Sequence, residues 1–506
     1  MIPPTVQDKA RIIANGKTAW YARAREILLS LFEHGLTAVN PYLAVNRHIA
    51  MADGKITVRT DSGELAFPLE DTGKIYVVGG GKAAVQMAVA MEELLGNRIE
   101  AGFVNAPDKL LQLDPPKLNR IKAIGASHPI PNQAGVDGVK KMIELSENAR
   151  SKDLVFCLIS GGGSALMPQP AGSITLEDKQ VLNRLLIQCG ATINEINTVR
   201  KHVSMVKGGW LARHFQPARV IGLILSDVVG DDLSTIGSGP TVPDHTTFSD
   251  SVAILEKYGL IDKIPMRIRK YMILGMRDEH LETPKAESKM FQNVQNVMIG
   301  SARTAAEEIK VKAREFKDIG TVHILTSRLE GEAAEIGQNL HALITNIFDL
   351  KTRVKIDAKA GFFNGKSFRV DYGSGRGENR CTLLLLTGET TVTIKGQGTG
   401  GRNQEMLLAF LNKMDAPSKG KFGIISCGMD GIEGNSPAAG ALIDDQSRER
   451  ALQLSLNLKE LLENNDSYAA FSRLGDAIIT GPTGTNVNDL TMVLLDQPVK
   501  KIELEE

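Results

Sequence analysis

The feature that most constrains the fold is an apolar run that ends in three glycines, within KDLVFCLISGGGSA at 152–165. Residues 154–159 have the composition of a strand that is buried on both faces of a parallel sheet. The residues that follow this strand are Ser160, Gly161, Gly162, Gly163 and Ser164. Ser164 has the side chain of a helix N-cap. A strand, a bare-backbone turn and a helix start place N–H groups at the sheet edge, where they attract anions, phosphates above all.

Three glycines can also form nothing more than a tight turn, but the same arrangement recurs along the chain. KIYVVGGGKAA at 74–84 is an apolar run followed by Gly79, Gly80, Gly81 and Lys82. Apolar runs also lead into glycine-rich turns within 381–402 and 422–434. Each places small or polar residues at the C-terminal end of a predicted strand, where open α/β sheets bind ligands. We therefore expect several phosphate- or carboxylate-binding turns that face a common cleft.

The length of the chain indicates more than one domain. At 506 residues it exceeds one ordinary core, and alternating strands and helices predict parallel sheets. We place an N-terminal α/β domain at 1–280, a C-terminal α/β domain at 281–492 and a tail at 493–506. Residues 351–380 interrupt the second domain and carry eight basic and three acidic side chains, which predicts a solvated, hairpin-like insertion. Its GFFNGKS at 361–367 lacks the glycine spacing of a phosphate loop, because Ala360 stands where a glycine is needed.

Composition excludes several classes of partner. The chain has 59 Lys and Arg residues and 59 Asp and Glu residues. It therefore has no net positive charge that would favour binding to nucleic acid. The sequence contains no stretch of ~18 apolar residues, so it predicts no membrane span. The four cysteines have no CxxC spacing and the nine histidines form no HxxxH pair, which argues against disulfides and zinc and favours the cytoplasm. A basic stretch within the first 25 residues leaves a mitochondrial location open. The sequence does not decide between a monomer and a homodimer.

Two basic residues directly follow glycine turns. Lys82 follows the first glycine triplet, and Arg402 follows Gly400 and Gly401. A cation at a helix start opposes the helix dipole, and a bound anion would relieve that repulsion. Arginine also offers a bidentate fork to phosphate or carboxylate. A solvated lysine, or a salt bridge from Arg402 to Glu405 or another neighbour, is the structural alternative for each.

Acidic residues follow three of the predicted strands, and these are Asp227, Asp231 and Asp232, then Asp430 and Glu433, then Asp489. Carboxylates beside anion-binding turns make chemical sense if a divalent ion bridges them to phosphates. They are also ordinary loop residues. One of them could act as a general base for a hydroxyl group, but the sequence does not identify which one.

The motifs together resemble the class II, or MOFRL-type, glycerate 2-kinase family. The resemblance covers roughly residues 20–492 in order, and the length and the 351–380 insertion look more like the animal members. It rests on GGGKAA at 79–84, SGGGSAL at 160–166, SDVVGDD at 226–232, GSGPTV at 237–242, GGRNQE at 400–405, DGIEGNS at 430–436 and GPTGTNVNDL at 481–490.

The resemblance implies transfer of the γ-phosphoryl group of ATP to D-glycerate, giving 2-phospho-D-glycerate, with Mg²⁺. It implies an α/β fold of two Rossmann-like domains with mostly parallel sheets and an active site in the interdomain cleft. The family's basic residues match Lys82 and Arg402, which we predict to be catalytic and to face solvent, so that their loss would barely affect unfolding. Asp227 and Asp231 are the predicted metal ligands. The predicted substrate- and phosphate-binding residues are Gly79, Gly80, Gly81, Ser160, Gly161, Gly162, Gly163, Ser164, Gly400, Gly401, Asn403, Glu405, Asp430 and Asn486.

Two other functions remain open at this point. Hydroxypyruvate reductase would need a GxGxxG turn with an acidic residue ~20 positions further on. The turn at Gly79–Gly81 lacks the third glycine, and Glu92 and Glu93 come too early. A non-catalytic metabolite-binding protein is the second alternative, and the presence of Lys82, Arg402 and the acidic turns argues against it.

Overall fold

The computed structural model describes residues 5–113, 115–357, 361–372, 381–415 and 418–505. Its strands are β1 (Ile49–Ala52), β2 (Lys55–Thr60), β3 (Gly63–Pro68), β4 (Ile75–Gly80), β5 (Ile99–Pro107), β6 (Ile121–Ala126), β7 (Leu154–Ser160), β8 (Arg219–Leu225), β9 (Val294–Gly300), β10 (Ile319–Leu329), β11 (Arg353–Asp357), β12 (Asn364–Tyr372), β13 (Cys381–Gly388), β14 (Phe422–Gly428), β15 (Gly440–Asp444), β16 (Ala477–Ile478), β17 (Asp489–Leu495) and β18 (Val499–Glu505). Its α-helices are α1 (Lys9–Ala14), α2 (Ala19–Ala38), α3 (Pro41–His48), α4 (Ala84–Leu95), α5 (Asp108–Leu113), α6 (Gln133–Ser146), α7 (Gly163–Leu166), α8 (Leu176–Gln188), α9 (Ile193–His202), α10 (Trp210–His214), α11 (Phe248–Lys257), α12 (Met266–Gly275), α13 (Ala302–Ala313), α14 (Ala333–Phe348), α15 (Arg402–Lys413), α16 (Ser447–Gln453), α17 (Leu458–Glu463) and α18 (Ser467–Leu474).

The chain forms two compact units, and their boundaries differ from those predicted. One unit is Pro41–Gly300, and the other combines Met1–Asn40 with Ser301–Glu506. The predicted boundary at 280 is wrong because β9, expected to begin the second domain, pairs in parallel with β8 and completes the first sheet. The N-terminal residues join the second unit because α2 packs against α13 and β14. Buried Arg25 of α2 donates hydrogen bonds to Asp444 and Asp476 there.

The central sheet of the 41–300 unit is parallel throughout. Its strand order is β6-β5-β4-β7-β8-β9, which is the 3-2-1-4-5-6 order of doubly wound α/β folds. Every residue of β4 and β7 is buried, as the apolar runs predicted. The order reverses between β4 and β7, and the crevice at such a switch point is where these sheets bind ligands. Both predicted glycine triplets stand at this point.

A helical layer follows β7 in the same unit. Capping boxes with Thr175, Thr192 and Thr247 as caps begin α8, α9 and α11. Apolar residues of these helices and of α12 form a core of their own. Strands β1, β2 and β3 make a small antiparallel sheet.

The larger sheet of the other unit is mixed, so the expectation of a mostly parallel sheet is wrong there. Its order is β10-β13-β17-β14-β15-β16, and only β10 and β13 pair in parallel. The remaining pairs are antiparallel. Strands buried on both faces have the same apolar composition in either direction. The sequence pattern therefore could not distinguish the two arrangements.

The predicted tail and insertion form one small sheet. Strands β11 and β12 are an antiparallel hairpin, and β18 pairs with β12 as the third strand. Residues 493–505 are therefore not a tail: β17 extends to Leu495, and β18 pairs with the hairpin. Phe362, Phe363 and Phe368 are buried, so the hairpin is not simply solvated. Residues 358–360 and 373–380 of the predicted insertion lie outside the described residues.

Within the described ranges, no helix combines the length and apolar character that a membrane span requires.

Candidate active site

Backbone hydrogen bonds join the two glycine turns that follow β4 and β7. The Lys82 N–H donates to the Gly161 carbonyl at 2.8 Å. The Ala83 N–H donates to the Ser160 hydroxyl at 3.0 Å. Because adjacent parallel strands end at the same sheet edge, the turns that the sequence placed 80 residues apart form one surface.

The close contact between these turns explains their glycines. A Cβ at Gly81 would lie 2.1 Å from the Ser160 hydroxyl oxygen, which leaves no room for a side chain. A Cβ at Gly79, Gly80 or Gly163 would lie 2.0, 2.9 or 2.9 Å from its nearest neighbouring atom. Gly162 has φ 79°, in the left-handed region that favours glycine. The glycines therefore bring two strand ends together and leave bare backbone beside Lys82.

Lys82 lies just before α4, which begins at Ala84 rather than at residue 82 as predicted. A Cβ on Gly162 would lie 3.3 Å from Lys82 Cγ and 3.2 Å from His128 Nε2, so these side chains flank the turn. Burial and the Lys82 charge lower the pKa of His128. His128 follows β6, and the sequence analysis missed it, although its loop also leaves the C-terminal end of a strand.

Ser164 is not the helix cap that its position suggested. Gly162 occupies the N-cap position of the short helix α7 and makes no side-chain cap. The Ser164 hydroxyl instead lies 3.0 Å from the Ser238 hydroxyl, and Ser238 donates to Asn197 Oδ1 at 3.2 Å. Ser238 belongs to the GSGPTV motif, so this motif supports the second glycine turn.

The predicted metal ligands Asp227 and Asp231 are half-buried in the loop after β8. Strand β8 is the neighbour of β7, so this loop leaves the sheet edge that carries the glycine turns. Asp232, the third aspartate of the motif, accepts hydrogen bonds from Ser234 and Thr235 in its own loop. Over the described ranges, no group of three or more His, Cys, Asp or Glu side chains is placed to hold a metal ion.

In the other unit, a buried carboxylate caps the helix that begins at Arg402. Glu433 accepts hydrogen bonds from the N–H groups of Asn403 and Gln404, in the first turn of α15. A Cβ on Gly401 would lie 2.2 Å from Glu433 Cγ, so only glycine allows this approach. The cap comes from a distant loop, and for this reason local spacing did not reveal it.

Arg402 is paired with two carboxylates, neither of which is Glu405. Its Nε and Nη2 donate to Asp489 at 2.5 and 2.8 Å, and Nη1 donates to Glu389 at 2.8 Å. The Arg402 side chain is 31% exposed and that of Asp489 only 7%. The expectation that Arg402 simply faces solvent is therefore wrong, because most of its guanidinium is held by protein.

The pKa values of Glu433, Asp489 and Arg402 are strongly shifted. Burial and the nearby Asp489 carboxylate raise the pKa of Glu433 to about 8. Burial raises the pKa of Asp489 to about 6, even though its bonds to Arg402 act in the opposite direction. Burial also disfavours the charge on Arg402, but its bonds to Asp489 outweigh that effect and raise its pKa.

Two predicted binding residues lie in the interior of this unit. Asn403 is 2% exposed, and its Oδ1 accepts a hydrogen bond from Ser426 at 2.6 Å. Glu405 is 4% exposed, and its Oε2 accepts from Asn465 Nδ2 at 2.9 Å. Their side chains therefore support the start of α15 from inside the fold.

The remaining predicted residues lie on loops that meet at the end of β14. A Cβ on Gly428 would lie 3.2 Å from Asp430 Oδ1 and 3.5 Å from Asp489 Oδ1, so both carboxylates approach this point. The Asp430 carbonyl accepts from the N–H of Thr483 at 3.0 Å. Buried Asn486 belongs to the same loop as Thr483. Gly400 is held by a hydrogen bond of 2.9 Å from its N–H to Asn435 Oδ1.

Replacing Glu433 by glutamine should change how stability depends on pH. An acid whose folded pKa is raised from about 4.5 to about 8 stabilises the fold at low pH, and this stabilisation is lost as pH rises towards 8. The amide mimics the protonated acid at every pH. The unfolding midpoint of Glu433→Gln minus that of wild type should therefore increase between pH ~5 and ~8.

The matched control for this comparison is Glu308→Gln, on an exposed position of α13 in the same unit. Its difference from wild type should stay constant over the same pH range. A constant difference for Glu433→Gln as well would mean that Glu433 remains ionised as the helix cap throughout.

The sheet order and the paired glycine turns define a doubly wound α/β protein whose switch point suits an anionic small molecule. Residues 27–273 match the family described as "Domain of unknown function (DUF4147)", and residues 382–489 match the MOFRL family. A "Glycerate 2-kinase" of Pyrococcus horikoshii is 37% identical, over 93% of this chain and 97% of that protein. A "Putative hydroxypyruvate reductase" of Agrobacterium vitis is 34% identical, over 93% and 94%. The crystal structure of a glycerate kinase from Thermotoga maritima matches with TM-score 0.75 and 32% identity, over 93% of this chain and 99% of that one.

The chain belongs to the class II, MOFRL-type glycerate 2-kinase family. This confirms the family that the sequence motifs indicated. The roles of the individual site residues, and the location of the active site between domains, stay predictions.

Proposed function

We propose that this protein is a glycerate 2-kinase, which transfers the γ-phosphoryl group of ATP to D-glycerate. The observation that carries the proposal is the position of Lys82 between two glycine turns at the switch point of a parallel sheet. Relatives named as glycerate kinases, matched over nearly their whole length, support the same activity. The test is release of ADP when purified protein is mixed with ATP and D-glycerate.

Phosphoryl transfer depends mainly on positioning and on neutralising charge. The hydroxyl oxygen of glycerate forms a bond to the γ-phosphorus, the bond from that phosphorus to the bridging oxygen breaks, and ADP leaves. The hydroxyl proton is released in the same reaction. We assign to Lys82 the neutralisation of charge on an anionic group held by the backbone of Gly79–Gly81 and Ser160–Ser164. Arg402, Gly400, Gly401, Asp430 and Asn486 are proposed to form the binding surface of the other unit.

The role of Asn403 and Glu405 in this proposal is indirect. Both side chains are buried and bonded to protein groups. They hold the first turn of α15, from which Arg402 projects. We therefore propose that they shape the site without contacting the substrate through their side chains.

The donor set is compatible with Mg²⁺ bound largely through substrate phosphates. Mg²⁺ in such sites takes one or two protein carboxylates and fills its other positions with phosphate oxygens and water. Asp227 and Asp231 offer carboxylates on the loop after β8, beside the glycine turns. These two residues would hold the ion, and the ion would supply Lewis-acid neutralisation of phosphate charge.

The proposed site accepts small molecules, ATP and D-glycerate. We propose a cytoplasmic protein, because the four cysteines lack disulfide spacing and are free in the structure. Gel filtration with light scattering would decide between a monomer and a homodimer.

Hydroxypyruvate reductase is the second candidate, because a relative carries that name. The β4 turn, however, lacks the spacing of a dinucleotide fingerprint. Loss of NADH or NADPH absorbance with hydroxypyruvate, in the absence of ATP, would support the reductase. A protein that binds glycerate and shows neither activity would be a metabolite-binding protein.

The phosphoryl group is expected on the 2-hydroxyl of glycerate. The name of the Pyrococcus relative specifies this position, and the family resemblance implies it. In the phosphorus NMR spectrum of the product, the signal should couple to the single C2 proton. Coupling to the C3 methylene protons would contradict the assignment and identify a 3-kinase.

A further inference from the structure

Three basic side chains are gathered in the interior behind the second glycine turn. Lys207 is 2% exposed and Lys179 is 4% exposed, while Arg200 is half-buried. Their hydrogen-bond acceptors are neutral: the Ser164 carbonyl for Lys207 at 2.7 Å, the Pro168 carbonyl for Lys179 at 3.1 Å and the Asn183 side chain for Arg200 at 2.8 Å. Within the described part of the chain, none of the three forms an ion pair.

Buried cations without a counter-charge are unfavourable, and proteins usually pair or neutralise them. Burial and the neighbouring charges of Lys179 and Arg200 lower the pKa of Lys207 well below its usual value. Burial lowers that of Lys179 to about 7. The described part of the fold therefore leaves these lysines without a counter-charge, and their neutral forms are favoured as long as none is supplied. An anion bound at the adjacent turn would supply the counter-charge that the described residues do not.

Lys207 has a more direct connection to the turn than Lys179 has. Its acceptor, Ser164, lies within α7, immediately after Gly162 and Gly163. The segment that carries Lys207 is held in turn, because the N–H groups of Gly208 and Gly209 donate to the carbonyls of residues 238 and 239 at 2.9 and 2.8 Å. Lys179 instead donates to the carbonyls of Pro168 and Gln169, which lie beyond α7 and further from the turn along the chain.

We propose that Lys207 is a positioning residue for an anionic substrate group bound at Gly161–Gly163. Its ammonium group attracts the anion, and its hydrogen bond to the Ser164 carbonyl orients the turn that holds it. The ligand class is a phosphate or a carboxylate, supplied by ATP or by glycerate. This inference rests on the proposed kinase function and adds a residue that the sequence motifs do not contain.

The test is Lys207→Met, which keeps the length of the side chain and removes its charge. Loss of a charge-assisted contact should raise the KM for one substrate by about 10- to 100-fold. A rise for ATP identifies a phosphate at the turn, and a rise for glycerate identifies a carboxylate. The unfolding midpoint should stay within about 2 °C of wild type, because relief of the buried charge offsets the lost hydrogen bond. Lys207→Arg, which keeps the charge, should recover most of the lost affinity.

The matched control is Lys179→Met, a buried lysine of the same cluster, which should leave both KM values within about threefold of wild type. An equal KM effect in Lys179→Met, or a lower unfolding midpoint of Lys207→Met with both KM values unchanged, would overturn the proposal. Calorimetric titration with pyrophosphate and with D-glycerate measures binding without turnover. Weaker binding of one probe to Lys207→Met supports the proposal even if wild type does not release ADP, whereas equal binding of both contradicts it.

Discussion

Replacing Lys82 by alanine is expected to lower kcat by about 10²- to 10³-fold, or ~3–4 kcal/mol of transition-state stabilisation. Lys82 lies between two turns of bare backbone at the switch point, so its charge is placed where phosphoryl charge would develop. Because the side chain is only half-buried, the unfolding midpoint should barely change. Steady-state kinetics with both substrates varied, together with thermal unfolding, measure these effects.

Lys366→Ala is the matched control for Lys82→Ala. Lys366 follows a glycine in the motif that resembles a phosphate loop, but it stacks on the Phe362 ring within the β11–β12 hairpin. Its loss should leave kcat within about threefold of wild type. A higher KM with unchanged kcat in Lys82→Ala would show equal binding of ground and transition states, and would contradict a catalytic role. A loss of two orders in Lys366→Ala would show that the hairpin is a phosphate loop after all.

Arg402→Ala should reduce both stability and activity, in contrast to Lys82→Ala. The substitution leaves the buried Asp489 carboxylate without its bidentate partner. We expect a loss of about 3 kcal/mol, the low end for a broken buried pair because Arg402 is partly exposed, or roughly 6–12 °C in the unfolding midpoint. If Arg402 stabilises charge in the transition state, kcat should also fall by about 10²-fold at temperatures where the variant is folded.

A double variant separates the two effects of Arg402. Asp489→Asn removes the unpaired charge, so Arg402→Ala/Asp489→Asn should regain much of the lost stability and none of the lost kcat. Arg23→Ala is the control, because Arg23 also has two acidic partners but is exposed, and its loss should cost less than about 1 kcal/mol. Unchanged unfolding of Arg402→Ala would contradict the structural role, and normal kcat would remove Arg402 from the catalytic residues.

Each glycine turn was predictable from local sequence. An apolar run that is buried on both faces, followed by glycines, identifies the end of a strand without knowledge of its neighbours. For this reason the ends of β4 and β7, with Lys82 beside them, appear in the structure where the sequence indicated. The family was also predictable, because its motifs are short, ordered and local.

Contacts between distant segments were not predictable from spacing. The salt bridge of Arg402 goes to Asp489, 87 positions away, and the cap of α15 comes from Glu433, 30 positions from Asn403. His128 and Lys207 lie outside the motifs that the sequence analysis singled out, yet both lie against the second turn. Such partners depend on which loops leave the same sheet edge, and that is a property of strand order.

The sequence by itself determined the class of fold, the positions of the glycine turns and the position of Lys82 after the first of them. Buried strands require apolar residues and close backbone contacts require glycine, so both can be recognised from residue type. Tertiary structure decided that β4 lies next to β7, that β9 completes the first sheet and that residues 1–40 join the second unit. It also decided that the second sheet is mixed and that β18 pairs with β12. The physical reason is that packing between distant segments sets both the pairing of strands and the partners of buried charges. An apolar run has the same composition whichever strand lies beside it, so the sequence does not reveal the neighbour.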